Sequence, residues 1–255
     1  MTLSQPGASD ALNGKVAVVT GGSSGIGAAT VRLLAASGAA VVIGFNQGEQ
    51  RAELLRNELP GGGHRTLHMP LADSGAHAAL ADSLRAAYGR IDILVNSAGF
   101  TQRIPHARLE ALTPELFNEI LLANAGGPFS IIRALMPLLR ASGAATVVNV
   151  SSVSAFTGLG SNIAYCAAKS ALDTMTVSLA RAFGPAVRFL SVSPASVDTD
   201  FVQGRNREEL EMKAAATPLG RIVTPEDVAL SVLACVTHLR TATGTRIVID
   251  GGHSL

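Results

Sequence analysis

Lys15-Val-Ala-Val-Val-Thr-Gly-Gly-Ser-Ser-Gly-Ile-Gly27 runs from a β-branched apolar segment directly into a glycine-rich turn. KVAVVT (Lys15–Thr20) reads as a strand, and Ala28–Ser37, stopped by Gly38, reads as the helix after it. A strand, a tight turn and a helix in that order open a βαβ unit. The same alternation repeats outward from this point. Further strands are expected at Ala39–Phe45, His64–Leu71, Ile91–Asn96, Ala145–Ser152, Val187–Ser193 and Thr245–Asp250. Between them lie helical stretches at Gln50–Leu59, Ser74–Tyr88 and Ile163–Phe183, with Ser74 as an N-cap and Gly89 as a stop. Thr113-Pro114-Glu115 and Thr224-Pro225-Glu226 each open another helix, with Thr as cap and Pro in the first turn.

The strands are continuous apolar runs rather than alternating ones, as a sheet covered on both faces requires. The pattern predicts an α/β fold: a single-domain, Rossmann-type doubly wound sheet of seven mostly parallel strands with helices on both faces. Residues 1–12 read as a flexible polar tail and residues 13–255 as one domain.

Composition narrows the function classes. With 20 Lys plus Arg against 19 Asp plus Glu, the chain lacks the basic excess of a nucleic-acid binder. Hydrophobic residues are 47% and charged residues 15%, which excludes disorder for the bulk of the chain. Cys166 and Cys235 form no CxxC, and the six histidines show no ligand spacing, so neither a disulfide scaffold nor a metal site is expected. No uninterrupted apolar run approaches ~18 residues, so no membrane span is expected. The start, MTLSQPGASDALNG, lacks a basic n-region and an apolar h-region, so no secretory leader is expected and the expected location is cytoplasmic.

The turn Thr20–Gly27 has the spacing Thr-Gly-x-x-x-Gly-x-Gly. Glycines there let backbone N–H groups approach a pyrophosphate, and the next helix adds its positive N-terminus. Taken alone the string is an ordinary βα loop; its place between a strand and a helix selects the phosphate cradle. YCAAK (Tyr165–Lys169) sets a phenol and an ammonium four residues apart on one helix face. A phenol titrates near ~10, and a neighbouring ammonium lowers that value, so the pair can move a proton near neutral pH. The other tyrosine, Tyr88, has no lysine in helical register. Ser152 closes the fifth strand at the edge where open α/β sheets bind ligands, and its hydroxyl can hold a carbonyl oxygen.

Thr20–Gly27, NSAG (Asn96–Gly99), Ser152, YCAAK, PLGRIVTPEDVA (Pro218–Ala229) and IDGG (Ile249–Gly252) together resemble the classical short-chain dehydrogenase/reductase family. The resemblance runs from about Leu12 to the end and is strongest to the group holding 3-oxoacyl-acyl-carrier-protein reductases. It implies an NAD(P)-dependent oxidoreductase that transfers a hydride between nicotinamide and a carbonyl/alcohol carbon. In that family pattern Tyr165 is the general acid/base, Ser152 holds the reacting oxygen, and Lys169 tunes Tyr165 and bonds the nicotinamide ribose. Asn124 would kink its helix and hold a water that links Lys169 to solvent.

The resemblance places the cofactor against Gly21, Ser23, Ser24, Gly25, Ile26 and Gly27, then Phe45 and Asn46 after the second strand and Leu71 after the third. Asn96, Ala98 and Gly99 would line the adenosine side. Tyr165, Lys169, Pro194, Val197 and Thr199 would meet the nicotinamide half. Three positions depart from the family pattern: Ser97 for Asn, Ala195 for Gly, and Pro70 for an adenine-binding Asp. Phe45 stands where an acidic residue would select a ribose 2′-OH, so NADP(H) is favoured over NAD(H), with Asn46, Ser23, Ser24 and Arg51 to meet the phosphate.

The expected partner is a small-molecule carbonyl or alcohol, with a ketone or 3-oxoacyl compound as the expected substrate and Ser154, Leu159 and Phe201 as pocket wall. In the covering stretch, Arg205, Arg207 and Lys213 oppose Asp200, Glu208, Glu209 and Glu211, and these charges read as a solvated helix with i,i+4 pairs. A homotetramer is implied by the family, with Pro225–His238 and the C-terminal segment as interface surfaces. The competing reading is a catalytically silent dinucleotide-binding regulatory protein; the complete Ser152, Tyr165, Lys169 set argues against it.

Overall fold

The structure is a computed structural model, and it describes residues 11–204 and 206–255. Among the described residues one sheet of seven strands runs in the order β3-β2-β1-β4-β5-β6-β7, every pair parallel. The strands are β1 (Val16–Thr20), β2 (Ala40–Phe45), β3 (Arg65–His68), β4 (Ile93–Asn96), β5 (Ala145–Val150), β6 (Val187–Pro194) and β7 (Thr245–Ile249). The order reverses between β1 and β4, so their carboxyl ends part and open a crevice.

Helices α1 (Gly25–Ala36), α2 (Glu49–Glu58) and α9 (Pro225–Thr237) cover one face. Helices α3 (Ser74–Tyr88), α5 (Gly127–Ser142) and α7 (Ile163–Phe183) cover the other. Alternate residues of β1 divide between the layers: Ala17 and Val19 pack with Val31 and Leu34 of α1, and Val18 packs with Leu84 and Ile131. Both faces bury apolar side chains, which is why the strands read as unbroken hydrophobic runs.

Three expectations change. Residues 1–10 of the predicted tail lie outside the described residues, but Leu12, also assigned to it, is buried in the core and its N–H donates to Ser37 O at 2.8 Å. The N-cap of α3 is Asp73, whose carboxylate accepts from Ala76 N–H, and Ser74 is already helical. The long helical region is divided into α4 (Pro114–Leu121), a π-helical turn (Leu122–Gly126) and α5. Pro114–Ser142 is long and apolar enough to cross a membrane by length and composition alone, yet it packs here against α3 and α7. Two further helices, α6 (Ser154–Thr157) and α8 (Arg207–Ala215), sit beside the crevice.

Candidate active site

The crevice is a cleft of ≈ 1580 Å³ above the carboxyl ends of the strands. The end at the glycine turn is built from backbone. The Thr20 hydroxyl oxygen accepts the N–H groups of Ser97 and Ala98, both at 3.1 Å, and ties the loop after β4 to β1. Gly21 has φ +63°, and a Cβ there would lie 2.8 Å from Ala98 Cα. A Cβ on Gly27 would collide with the Gly21 carbonyl oxygen. Ser24 is the N-cap of α1 but its side chain makes no capping bond, so the first N–H groups of that helix remain uncapped beside the cleft.

The opposite wall is built from side chains. Asn162 caps α7: its Oδ1 accepts from Tyr165 N–H at 2.7 Å, and its amide donates to Gln102 O at 2.7 Å. The helix start is thereby tied to the loop after β4. One turn further, the Lys169 ammonium is buried, donates to Val150 O at 2.8 Å, and lies 5.6 Å from the Tyr165 ring centre. Burial pushes its pKa down to about 8, and the Asp173 carboxylate opposes that fall. The Ser152 oxygen accepts from Ser154 N–H at 3.1 Å, which orients the hydroxyl. Phe201 places its ring 6.0 Å from that of Tyr165.

Asn124 sits fully buried inside the π turn. Its amide donates to Ile120 O at 2.9 Å and to Phe100 O at 2.6 Å, and its Oδ1 has no partner among the described residues. The extra residue of a π turn frees a helical carbonyl, and here the asparagine amide satisfies it. Across the cleft mouth, Arg103 grips Glu209 of α8 at 2.8 and 3.2 Å, and Lys213 joins the same carboxylate at 2.9 Å. The charges of α8 are therefore not only i,i+4 pairs in solvent; Glu209 anchors the helix to the loop after β4. Arg205 lies outside the described residues.

Residues 21–254 match the family model described as Enoyl-(Acyl carrier protein) reductase. The chain is 38% identical over 250 residues to "Granaticin polyketide synthase putative ketoacyl reductase 2" of Streptomyces violaceoruber, covering 97% of this chain and 99% of that one. It is 31% identical to the 3-oxoacyl-[acyl-carrier-protein] reductase of Thermotoga maritima, over 94% of this chain and 98% of the relative. A crystal structure of a dehydrogenase/reductase from Sinorhizobium meliloti superposes with a TM-score of 0.87 at 32% identity, covering 97% of this chain and 98% of that chain. The chain belongs to the classical short-chain dehydrogenase/reductase family.

As a short-chain dehydrogenase/reductase it needs a place for a nicotinamide dinucleotide, and the cleft fits one. The contacts that a Cβ would make at Gly21 and Gly27, and the uncapped first turn of α1, describe a space shaped for a pyrophosphate against backbone donors. Gly21, Ser24, Gly25, Ile26, Gly27, Asn46, Leu71, Ala98, Gly99, Ser152, Tyr165, Lys169, Pro194, Val197 and Thr199 all line this one cleft, and so do Ser154, Leu159 and Phe201.

Five expected residues do not line it: Ser23, Phe45, Arg51, Asn96 and Asn124. Phe45 is 8% exposed with its ring 5.8 Å from that of His68, and Asn96 is 2% exposed with its amide on Asn149 Oδ1 at 2.8 Å. Each is a strand-terminal residue whose side chain turns into the protein below the cleft edge. Asn124 lies behind Gly99, and Ser23 points its hydroxyl toward Gly48.

Val150, Asn162 and His77 carry no assignment from sequence, and Thr20 enters there only as the first residue of the glycine motif. His77 is buried 1% exposed, with Nε2 donating to Pro70 O and Nδ1 accepting from the Ser130 hydroxyl, both at 2.8 Å, and so fixes the loop that carries Leu71. The cap position of Asn162, directly before Ile163, was the one available signal in this group.

Proposed function

We propose that this enzyme reduces a ketone or 3-oxoacyl carbonyl with NADPH, using Tyr165 as proton donor. The observation that carries the reading is that Ser152, Tyr165 and Lys169 open onto the same cleft as the glycine turn. Bound there, the dinucleotide would supply the hydride. The Ser152 hydroxyl, whose oxygen accepts from Ser154 N–H and which donates to Ser154 Oγ at 3.1 Å, would turn that donor to the substrate oxygen. The Tyr165 hydroxyl would give its proton to the developing alkoxide, and the Lys169 ammonium would stabilise the phenolate left behind.

Support for a 2′-phosphate comes from the end of β2. Ser23 Oγ and an Arg51 guanidinium nitrogen both reach the space above Gly48, within 2.6 and 2.7 Å of where its Cβ would stand. Arg51 is exposed and has no ion pair among the described residues, and no carboxylate follows β2 until Glu49. The two relatives named as ketoacyl and 3-oxoacyl reductases support the substrate class. The family pattern further favours a cytoplasmic homotetramer, to which the exposed Leu230 of α9 and Val248 of β7 would contribute apolar contact. A silent dinucleotide-binding regulator would have no use for a buried ammonium beside an aligned phenol.

A panel of ketones and 3-oxoacyl thioesters, with NADPH and NADH compared, tests the assignment. Turnover is expected with NADPH, and Tyr165→Phe is expected to lower it by about 10²–10⁴-fold while leaving nucleotide affinity unchanged. No turnover across the panel, with nucleotide binding intact, would return the regulator reading.

A further inference from the structure

Beneath the proposed proton donor, the line begun by Tyr165 and Lys169 continues into the protein. Asp173 follows Lys169 by four residues on α7 and is 8% exposed. Its Oδ2 accepts from Arg246 Nε of β7 at 2.8 Å, and its Oδ1 has no partner among the described residues. The Arg246 guanidinium carbon lies 4.5 Å from the centre of the Phe156 ring on α6, two residues into the helix that follows Ser152. Positions i, i+4 and i+8 share one helical stripe, so phenol, ammonium and carboxylate stack in sequence, with a guanidinium closing the row.

Among the described residues, Lys169 has one acceptor, the neutral Val150 carbonyl. An ammonium buried with so little compensation sheds its proton unless an anion holds it. The elements packed against α7 offer few candidates. α4 carries Glu115 and Glu119, β7 carries Arg246, and β5, the π turn and α6 carry no charge. Arg188 of β6 is committed to the carbonyls of Cys235, Leu239 and Ala242 and to the Thr146 hydroxyl. No ion pair joins Lys169 to Asp173 among the described residues, but the carboxylate stands one helical turn along the same face of α7, and its charge opposes the fall in the lysine pKa.

We infer that Asp173 and Arg246 are positioning residues for the proton step: the carboxylate keeps the buried ammonium charged, and the guanidinium moderates the carboxylate. The inference rests on the proposed role of Tyr165, and it predicts effects of opposite sign. Removing the carboxylate weakens the ammonium and disfavours the phenolate. Removing the guanidinium strengthens the carboxylate's hold on the ammonium and favours the phenolate. Tyr165 and Lys169 titrate as a coupled pair, so the readout is the pH at which phenolate appears.

The chain has two tyrosines and no tryptophan, so a Tyr88→Phe background leaves Tyr165 as the sole source of phenolate absorbance. In that background and without nucleotide, Asp173→Asn is expected to raise the phenolate midpoint by roughly half a unit to one unit. Asp173→Glu should return it to the parent's value. Arg246→Met should lower it, and Arg246→Lys should leave it in place. If Asp173→Asn does not fold, the downward shift in Arg246→Met carries the test alone. Lys169→Met separates the two claims. Should it raise the midpoint while Asp173→Asn and Arg246→Met move nothing, or move it the same way, the inference is overturned. Should Lys169→Met itself have no effect, the proton-donor assignment falls instead.

Discussion

At the N-terminal edge of the sheet, Asp92 is 3% exposed and both its oxygens are occupied: Val16 N–H at 3.0 Å, Ser142 Oγ at 2.8 Å, Lys15 Nζ at 3.2 Å, and Arg90 Nε. Arg188, near the same edge, donates to three carbonyls and a hydroxyl. At the C-terminal edge the pattern inverts. Asn96 Oδ1, Asn124 Oδ1, Ser151 Oγ and Ser193 Oγ are buried side-chain atoms without a hydrogen-bond partner among the described residues. Buried polar atoms are normally paired, and each exception asks for a reason. One edge has its polar groups satisfied by the chain and holds the fold; the other, beside the cleft, keeps hydrogen-bonding capacity in reserve.

That contrast can be broken most forcefully at Asp92. Asp92→Ala strands the Val16 N–H and is expected to cost roughly 2–4 kcal/mol of stability, with kcat in the folded fraction unchanged. Burial pushes the Asp92 carboxyl up, but bonds from Val16 N–H, Ser142 and Lys15 outweigh it and hold the group below the ordinary Asp range. Its contribution is therefore complete above the unfolded-state pKa and is lost as pH falls through the folded one, and the variant should converge with the parent in acid. A kinetic defect without a stability defect, in urea unfolding against steady-state rates, would erase the distinction between the edges.

The next effect has the opposite sign. Lys169 is held down to about 8 by burial, so its charged form opposes folding below that pH. Lys169→Met is expected to abolish turnover yet stabilise the protein at neutral pH by roughly 1–2 kcal/mol, after the stranded Val150 carbonyl is allowed for. The advantage should shrink as pH rises from about 8 toward the unfolded lysine value, because the parent then sheds the proton that penalises it. Thermal unfolding across that range measures it. The smallest effect sharpens the picture of the glycine-turn end of the cleft, which is built mostly from backbone. Arg51→Gln should weaken NADPH by about tenfold and leave NADH unmoved, as fluorescence titration would read.

Most elements were legible because each strand is an apolar run between turn residues, and α7 was predicted with the bounds it has, Ile163–Phe183. The cleft was legible where a residue's role depends on local chemistry: glycines that a turn demands, and a phenol and an ammonium one helical turn apart. It was not legible where the role depends on which way a strand-terminal side chain turns. Phe45 and Asn96 end their strands at the correct edge, but their side chains point inward. Asp73 and Ser74 are both good caps in sequence, and the extended backbone at Asp73 selects it. The π turn around Asn124 left only an asparagine in a helix as its trace.

The sequence by itself determined the α/β order, the parallel sheet, the glycine cradle and the Tyr165–Lys169 pair, because each rests on spacing along the chain. Only the tertiary structure decided how charge is managed at the two edges of the sheet. Asp92 with Ser142, Arg103 with Glu209, and Asp173 with Arg246 are each separated by 50 residues or more. No periodicity encodes such partners. They meet because parallel strands are joined by long crossovers, and burial then sets which charge each group keeps.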